Sequence, residues 1–207
     1  MGITIDVESI VPHASWWEGP LGLLPLRTKL KQVTVQEICQ AFNWQTPPWS
    51  EPAEYRGAIN TSVNYSRYAL VLSLAEGSFP VSECRLADLP LYALTDQERC
   101  AKFQHFLDHA EFSTFYLPLD FDTLKHLYNS EDEEYFTVGS AVRLAQEMLE
   151  LAQIVLAYIE KYGADSVADK DAVTIKHTWS SLHDFCTTLY EACVESLELN
   201  LPVQILY

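Results

Sequence analysis

The sequence predicts a helix-dominated α+β fold with a long C-terminal antiparallel helix pair and a few short strands. Residues 1–207 are expected to form a single globular domain. Three observations predict this fold. Two long stretches in the C-terminal third repeat apolar residues at helical spacing. Short β-branched runs lie near both ends of the chain. Of the 207 residues, 48% are hydrophobic and 20% are charged, which is typical of a chain that buries a sizeable core.

The N-terminal part is expected to contain one short strand. Alternation of β-branched and polar residues predicts a strand over Ile3–Val7. The rest of segment 1–33 is expected to be loop-rich, because turn-forming residues interrupt it at Pro12, Gly19, Pro20 and Pro25.

Two capping boxes mark helix starts in the middle of the chain. Thr34 with Glu37 predicts a short helix, and Thr95 with Glu98 predicts a helix that runs to about Ala110. Residues 65–76 are apolar enough to be buried, but their periodicity does not distinguish a helix from a strand. An aromatic-rich strand is expected over 112–117.

The C-terminal third has the clearest pattern. Apolar residues at alternating spacings of three and four predict a helix of about six turns from Ala141 to Tyr162, ended by Gly163. The same spacing predicts a second helix from Ile175 to Leu197, followed by a short strand over 203–206. Two such helices with a short connection pack antiparallel, so residues 140–199 are predicted to form a helical hairpin.

The charge is distributed unevenly. The chain has a net charge of −16, of which −3 lies in residues 1–103 and −13 in residues 104–207. Because lysine and arginine are sparse, we expect no direct binding of nucleic acid. No run of about 18 apolar residues occurs, so we expect no membrane span. Five cysteines without a CxxC pair favour a reducing, cytoplasmic location.

The densest acidic patch is a candidate binding surface. Its members are Asp120, Asp122, Glu131, Asp132, Glu133 and Glu134. They are interpreted either as a solvated loop or as a docking surface for a basic protein. On the second long helix, acids largely off the apolar stripe extend the negative surface, namely Asp184, Glu191, Glu195 and Glu198.

An alternative site combines His105, Asp108 and His109. Residues four apart share a helix face, and two imidazoles with a carboxylate suit a divalent metal. A zincin would need glutamate directly after the first histidine, where Phe106 stands. We therefore expect no cofactor. Cys186, although close to His183, falls on the apolar stripe and is expected in the core.

The leading functional hypothesis is a non-enzymatic interaction protein, such as an inhibitor, an immunity-type antidote or an adaptor, whose acidic C-terminal half binds a basic protein. The absence of a phosphate-binding glycine loop and of GxSxG disfavours the corresponding enzyme classes. The alternatives are a metal-dependent hydrolase built on the histidine pair and a structural subunit of a larger assembly. The acidic charge is equally consistent with solubility alone. The sequence identifies neither the partner nor the oligomeric state.

Overall fold

A computed structural model of the chain describes residues 2–7, 34–48, 60–76, 94–107, 113–130, 133–163 and 179–206. The helices and strands within these ranges confirm the predicted helix-dominated α+β class. Apart from the first strand, the predicted loop-rich segment 1–33 lies outside them. In chain order the elements are β1 (Gly2–Val7), α1 (34–41), β2 (Asn60–Asn64), α2 (Tyr65–Glu76), α3 (Asp96–Lys102), α4 (Gln104–Leu107), β3 (Ser113–Leu117), β4 (Lys125–Asn129), β5 (Glu134–Ser140), α5 (Ala141–Tyr162), α6 (Trp179–Leu199) and β6 (Val203–Leu206).

The strands form one six-stranded mixed sheet. Their order is β2-β1-β6-β3-β5-β4. All neighbours are antiparallel except β3 and β5, which are parallel. The last strand, β6, lies between β1 and β3, with Ile205 opposite both Ile5 and Thr114. The two ends of the chain therefore meet in the middle of the sheet.

The two long helices pack antiparallel, as predicted. Tyr158, near the end of α5, lies against Trp179 at the start of α6, with ring centroids 3.9 Å apart. The hydroxyl of Ser140 accepts the first-turn amide of Arg143, and Gly163 ends the helix with a φ of 96°. Among the described residues, no helix combines the length and the apolar character that crossing a membrane requires.

Cores form on both faces of the sheet. The larger core lies between one face and helices α2, α4, α5 and α6, and includes Leu144, Met148 and Leu189. The smaller core lies on the opposite face under α1, where Ile38 packs against alternate residues of β3 and β5. Alternation along each strand assigns side chains to the two faces. The face on which a residue lies therefore decides which helices it can reach.

Several predicted boundaries need correction. The single helix expected from Thr95 to Ala110 is wrong, because α3 ends at Lys102 with Phe103 as its C-cap, and a separate turn, α4, follows. The break places both Phe103 and Phe106 in the core, and a carboxylate from α5 binds the amides that open α4. Residues 65–76 form a helix, and Thr34 already belongs to α1. Strands β2, β4 and β5 were not predicted.

Candidate interaction surface

Four carboxylates form a line along the exposed side of α6, and this group is called the α6 acidic stripe. Its members, Asp184, Glu191, Glu195 and Glu198, are separated by seven, four and three positions. At about 100° per residue these spacings place them within an arc of about 60°, over a length of about 21 Å. The opposite side of the helix, which includes Leu189 and Cys193, is buried. The packing of α6 thus turns the stripe outward.

No cation of α6 compensates the stripe. The helix contains no lysine or arginine. Like charges three and four positions apart repel, and carboxylates near a helix C-terminus oppose the helix dipole. Glu195 and Glu198 are in this unfavourable position, and each such interaction costs a few tenths of a kcal/mol up to about 1 kcal/mol. These acids therefore lower the free energy of unfolding of the protein. A feature that costs stability in this way favours a functional role for the α6 acidic stripe.

Two of the acids predicted as a binding surface are engaged within the protein. Asp120 and Asp122 lie in the connection between β3 and β4, and both are exposed. Arg143, in the first turn of α5, donates from Nε to Asp120 Oδ1 and pairs through Nη2 with Asp122 Oδ1, each at 2.7 Å. The two charges are therefore partly neutralised, and they hold this loop against α5.

The remaining predicted acids surround the turn between β4 and β5. Glu133 is exposed and has a φ of 57°, which L-residues rarely adopt. Glu134 opens β5, whereas Glu131 and Asp132 lie outside the described residues. Sequence reasoning missed the two exposed tyrosines beside this turn, Tyr128 and Tyr135. The signal that could have found them is that one tyrosine lies on each side of the acidic run.

His105 is a structural residue of the core rather than a surface ligand. Its Nδ1 accepts the amide of Ser140 at 3.1 Å, which leaves the proton of the neutral ring on Nε2. Its carbonyl accepts the hydroxyl of Tyr116 at 2.7 Å. Burial is the main cause that lowers the pKa of the imidazole, so the ring is neutral at pH 7. Both ring nitrogens are buried against the protein.

The other members of the predicted metal site cannot be placed beside it. Asp108 and His109 lie outside the described residues. Within the described ranges, no group of three or more histidine, cysteine, aspartate or glutamate side chains could hold a metal ion. The metal-dependent alternative therefore has no geometric support in that part of the chain.

Glu147 is a buried carboxylate that joins α5 to α4. Its two oxygens accept the amides of His105 at 3.0 Å and Phe106 at 2.8 Å. Burial raises the pKa of Glu147 to about 7, although these two hydrogen bonds oppose the shift. A cleft of about 350 Å³ lies above it, and Lys102 pairs with Glu150 at its rim. Lys102 and Glu150 therefore neutralise each other, and Glu147 is satisfied by the two amides of α4.

The cysteines of α6 occupy the core, in agreement with the sequence interpretation. Cys186 and Cys193 are both fully buried. Burial raises the pKa of the Cys186 thiol to about 12 and raises that of Cys193 further. Thiols with such pKa values are protonated at neutral pH and are poor nucleophiles.

The chain is strongly acidic, with a net charge of −16, and the described part of it carries exposed carboxylates on α6. A family model described as "Putative DNA-mimic protein" matches residues 26–205, so the chain belongs to this family. No curated protein and no solved structure matches the chain.

The family corrects one part of the partner prediction made from the sequence. The expected basic protein partner is consistent with a DNA-mimic family, whereas setting nucleic acid aside was wrong, because this family is defined by its likeness to DNA. A DNA mimic presents to a DNA-binding protein the features that DNA would present, so DNA recognition defines the class of partner. The error has a physical reason. Composition gives the sign of a surface charge, whereas mimicry depends on how the charges are arranged in space.

Proposed function

We propose that the chain is a DNA mimic that binds a DNA-binding protein at its DNA-contacting surface through the α6 acidic stripe. The observation that carries the proposal is the stripe itself. Four carboxylates, of which Glu195 is half-buried and the others are exposed, share one arc of a helix that has no lysine or arginine, in a chain of a DNA-mimic family. A protein surface that binds DNA carries lysine and arginine for the phosphates, and the stripe complements that charge.

The geometry of the stripe supports this role. One strand of B-DNA carries a phosphate about every 3.4 Å along its axis. The stripe is a row of charges of the same sign, four over about 21 Å, at a lower density than one DNA strand. Because α6 is packed against α5 and the sheet, the backbone positions that carry its carboxylates are fixed before binding. A preformed helix loses little backbone entropy on association, and electrostatic attraction speeds the encounter.

The cytoplasm is the compartment that we propose for this activity. The four described cysteines are free thiols, which supports a reducing environment.

Displacement from DNA tests the proposal. Extract from the cell of origin is bound to DNA-cellulose, and the column is washed with the purified protein at constant ionic strength. We expect the wild type to release a subset of DNA-binding proteins. A triple variant of the stripe, Glu191→Gln with Glu195→Gln and Glu198→Gln, should release little or none of it.

A matched control separates the stripe from total charge. Neutralising three acids on other helices, Glu37→Gln with Glu76→Gln and Glu160→Gln, changes the net charge by the same amount. This control should release the same proteins as the wild type. No release by the wild type, or equal loss of release in both triple variants, would overturn the proposal.

A further inference from the structure

The hairpin of β4 and β5 carries a pair of exposed aromatic side chains. Tyr128 lies directly opposite Tyr135 in the antiparallel register, and their ring centroids are 5.0 Å apart. Tyr128 is 43% exposed and Tyr135 is 67% exposed. A substantial part of each tyrosine therefore remains available for contact with another molecule.

The core does not require this pair. Along β5, Phe136 and Val138 point into the smaller core, whereas Tyr135 lies on the opposite face together with Gly139. That face is covered by helices near Gly139, where the His105 ring lies close by. Toward the turn of the hairpin the tyrosines remain exposed. Their contact stabilises the hairpin by a fraction of a kcal/mol up to about 1 kcal/mol, but this role alone leaves their outer surfaces unused.

An exposed carboxylate lies in the turn next to the pair. Glu133 is exposed and stands two positions before Tyr135. Among the described residues, the cations that lie over aromatic rings are Lys102, over Phe103, and Lys125, over Phe42. The patch therefore offers aromatic faces beside the Glu133 turn, without a described internal cation over the tyrosine rings.

We infer that the Tyr128–Tyr135 pair and the carboxylate of Glu133 form a receptor for an arginine side chain from the DNA-contacting surface of the partner. This inference rests on the proposed function. A guanidinium group stacks on an aromatic face and at the same time forms paired hydrogen bonds with a carboxylate. Lysine has a compact ammonium group and cannot make both interactions in this way. DNA-binding surfaces supply arginine because it contacts phosphates and base edges.

The choice between arginine and lysine tests the receptor. The probes are two peptides, (Arg-Gly)₅ and (Lys-Gly)₅, whose affinities are measured by calorimetry at low ionic strength. The wild type should bind the arginine peptide about 2- to 5-fold more tightly than the lysine peptide, as expected for an exposed cation–π contact. The double variant Tyr128→Leu with Tyr135→Leu should bind both peptides equally, whereas the corresponding double phenylalanine variant should retain the preference.

Two results would overturn the inference. One is a wild type without preference for arginine, and the other is an unchanged preference in the double leucine variant. The single variant Tyr135→Leu, at the more exposed position, serves as a control in case the double variant does not fold. It should reduce the preference for arginine, while its thermal midpoint should stay within a few degrees of the wild type.

The readouts separate this inference from the proposed function. Neutralising the α6 acidic stripe should weaken the binding of both peptides and leave the ratio of their affinities unchanged. Failure of the wild type to release proteins from DNA-cellulose, with the arginine preference intact, would overturn the proposed function and leave the arginine receptor standing.

Discussion

Replacing the buried carboxylate of Glu147 should remove a pH dependence from the stability of this protein. The side chain is 8% exposed and binds two amides of α4. Burial raises its pKa from the ordinary value of 4.5 to about 7. Between these two values the folded state holds a proton that the unfolded state has released. The free energy of unfolding must therefore fall as the pH rises through this window.

The size of the effect follows from the two pKa values. One pKa unit is worth about 1.4 kcal/mol, so the whole shift is worth about 3.5 kcal/mol. Of this, about 2.5 kcal/mol is lost between pH 5 and pH 8. In a chain of this length that corresponds to a change in thermal midpoint of roughly 5–10 °C. Glu147→Gln does not titrate. Its amide group, like the protonated carboxyl that the folded wild type holds at pH 5, has one strong acceptor for the two N–H groups, so the stabilities of the two proteins should differ by no more than about 1 kcal/mol at pH 5.

Urea unfolding at pH 5, 6.5 and 8 measures the free energy of unfolding of the wild type and of Glu147→Gln. The quantity to compare is the difference between the two proteins at each pH. Subtracting the two free energies of unfolding cancels the contribution of His105. Because the pKa of His105 is lowered in the folded state, that contribution decreases as the pH falls below 6.5, which is opposite to the effect of Glu147. Cys193, which faces the same carboxylate from α6, stays protonated because burial raises its pKa.

A control variant one turn along α5 completes this experiment. For Glu147→Gln, the stability of the wild type relative to the variant should fall by about 2.5 kcal/mol from pH 5 to pH 8. Glu150→Gln changes a partly exposed carboxylate that pairs with Lys102, and its effect should vary by less than about 0.5 kcal/mol. A constant difference for Glu147→Gln across this range would refute the reasoning.

Two further predictions concern packing. Gly139→Ala should destabilise the protein by about 1–3 kcal/mol in urea unfolding, because a Cβ atom there would lie 2.7 Å from ring carbons of Tyr116; unchanged stability would mean that the ring moves aside freely. Iodoacetamide should label the exposed Cys100 in the native protein and the buried Cys186 only after unfolding, as peptide mass mapping would show. Labelling of Cys186 under native conditions would contradict its place in the core.

Local pattern predicted the long helices better than the strands. The bounds of α5 agree with the prediction, because its periodicity persists over 22 residues and Gly163 marks its end. Strands β4 and β5 were missed because Glu133 adopts the left-handed conformation at their turn, where sequence reasoning looks for glycine or asparagine. The break between α3 and α4 was missed because the carboxylate that binds α4 comes from Glu147, about 40 positions further along the chain.

The residues of the candidate site likewise differ in whether the sequence alone could predict their role. The acids of the α6 acidic stripe were recognised as lying off the apolar face, since helical geometry alone decides which residues share a face. Asp120 and Asp122 looked similar in the sequence, but Arg143 pairs with both. The exposed tyrosine pair was not recognised, because it exists only when β4 and β5 lie side by side.

The sequence by itself determined the fold class, the two long helices and the sign of the surface charge, because each depends on composition or on spacing within a short stretch of chain. Only the tertiary structure decided which charges remain free, since an ion pair such as that of Asp120 with Arg143 joins residues 23 positions apart. It also decided that His105 is buried and that β6 completes the sheet between β1 and β3. These features arise from contacts between segments that are distant in sequence, and no local pattern records them.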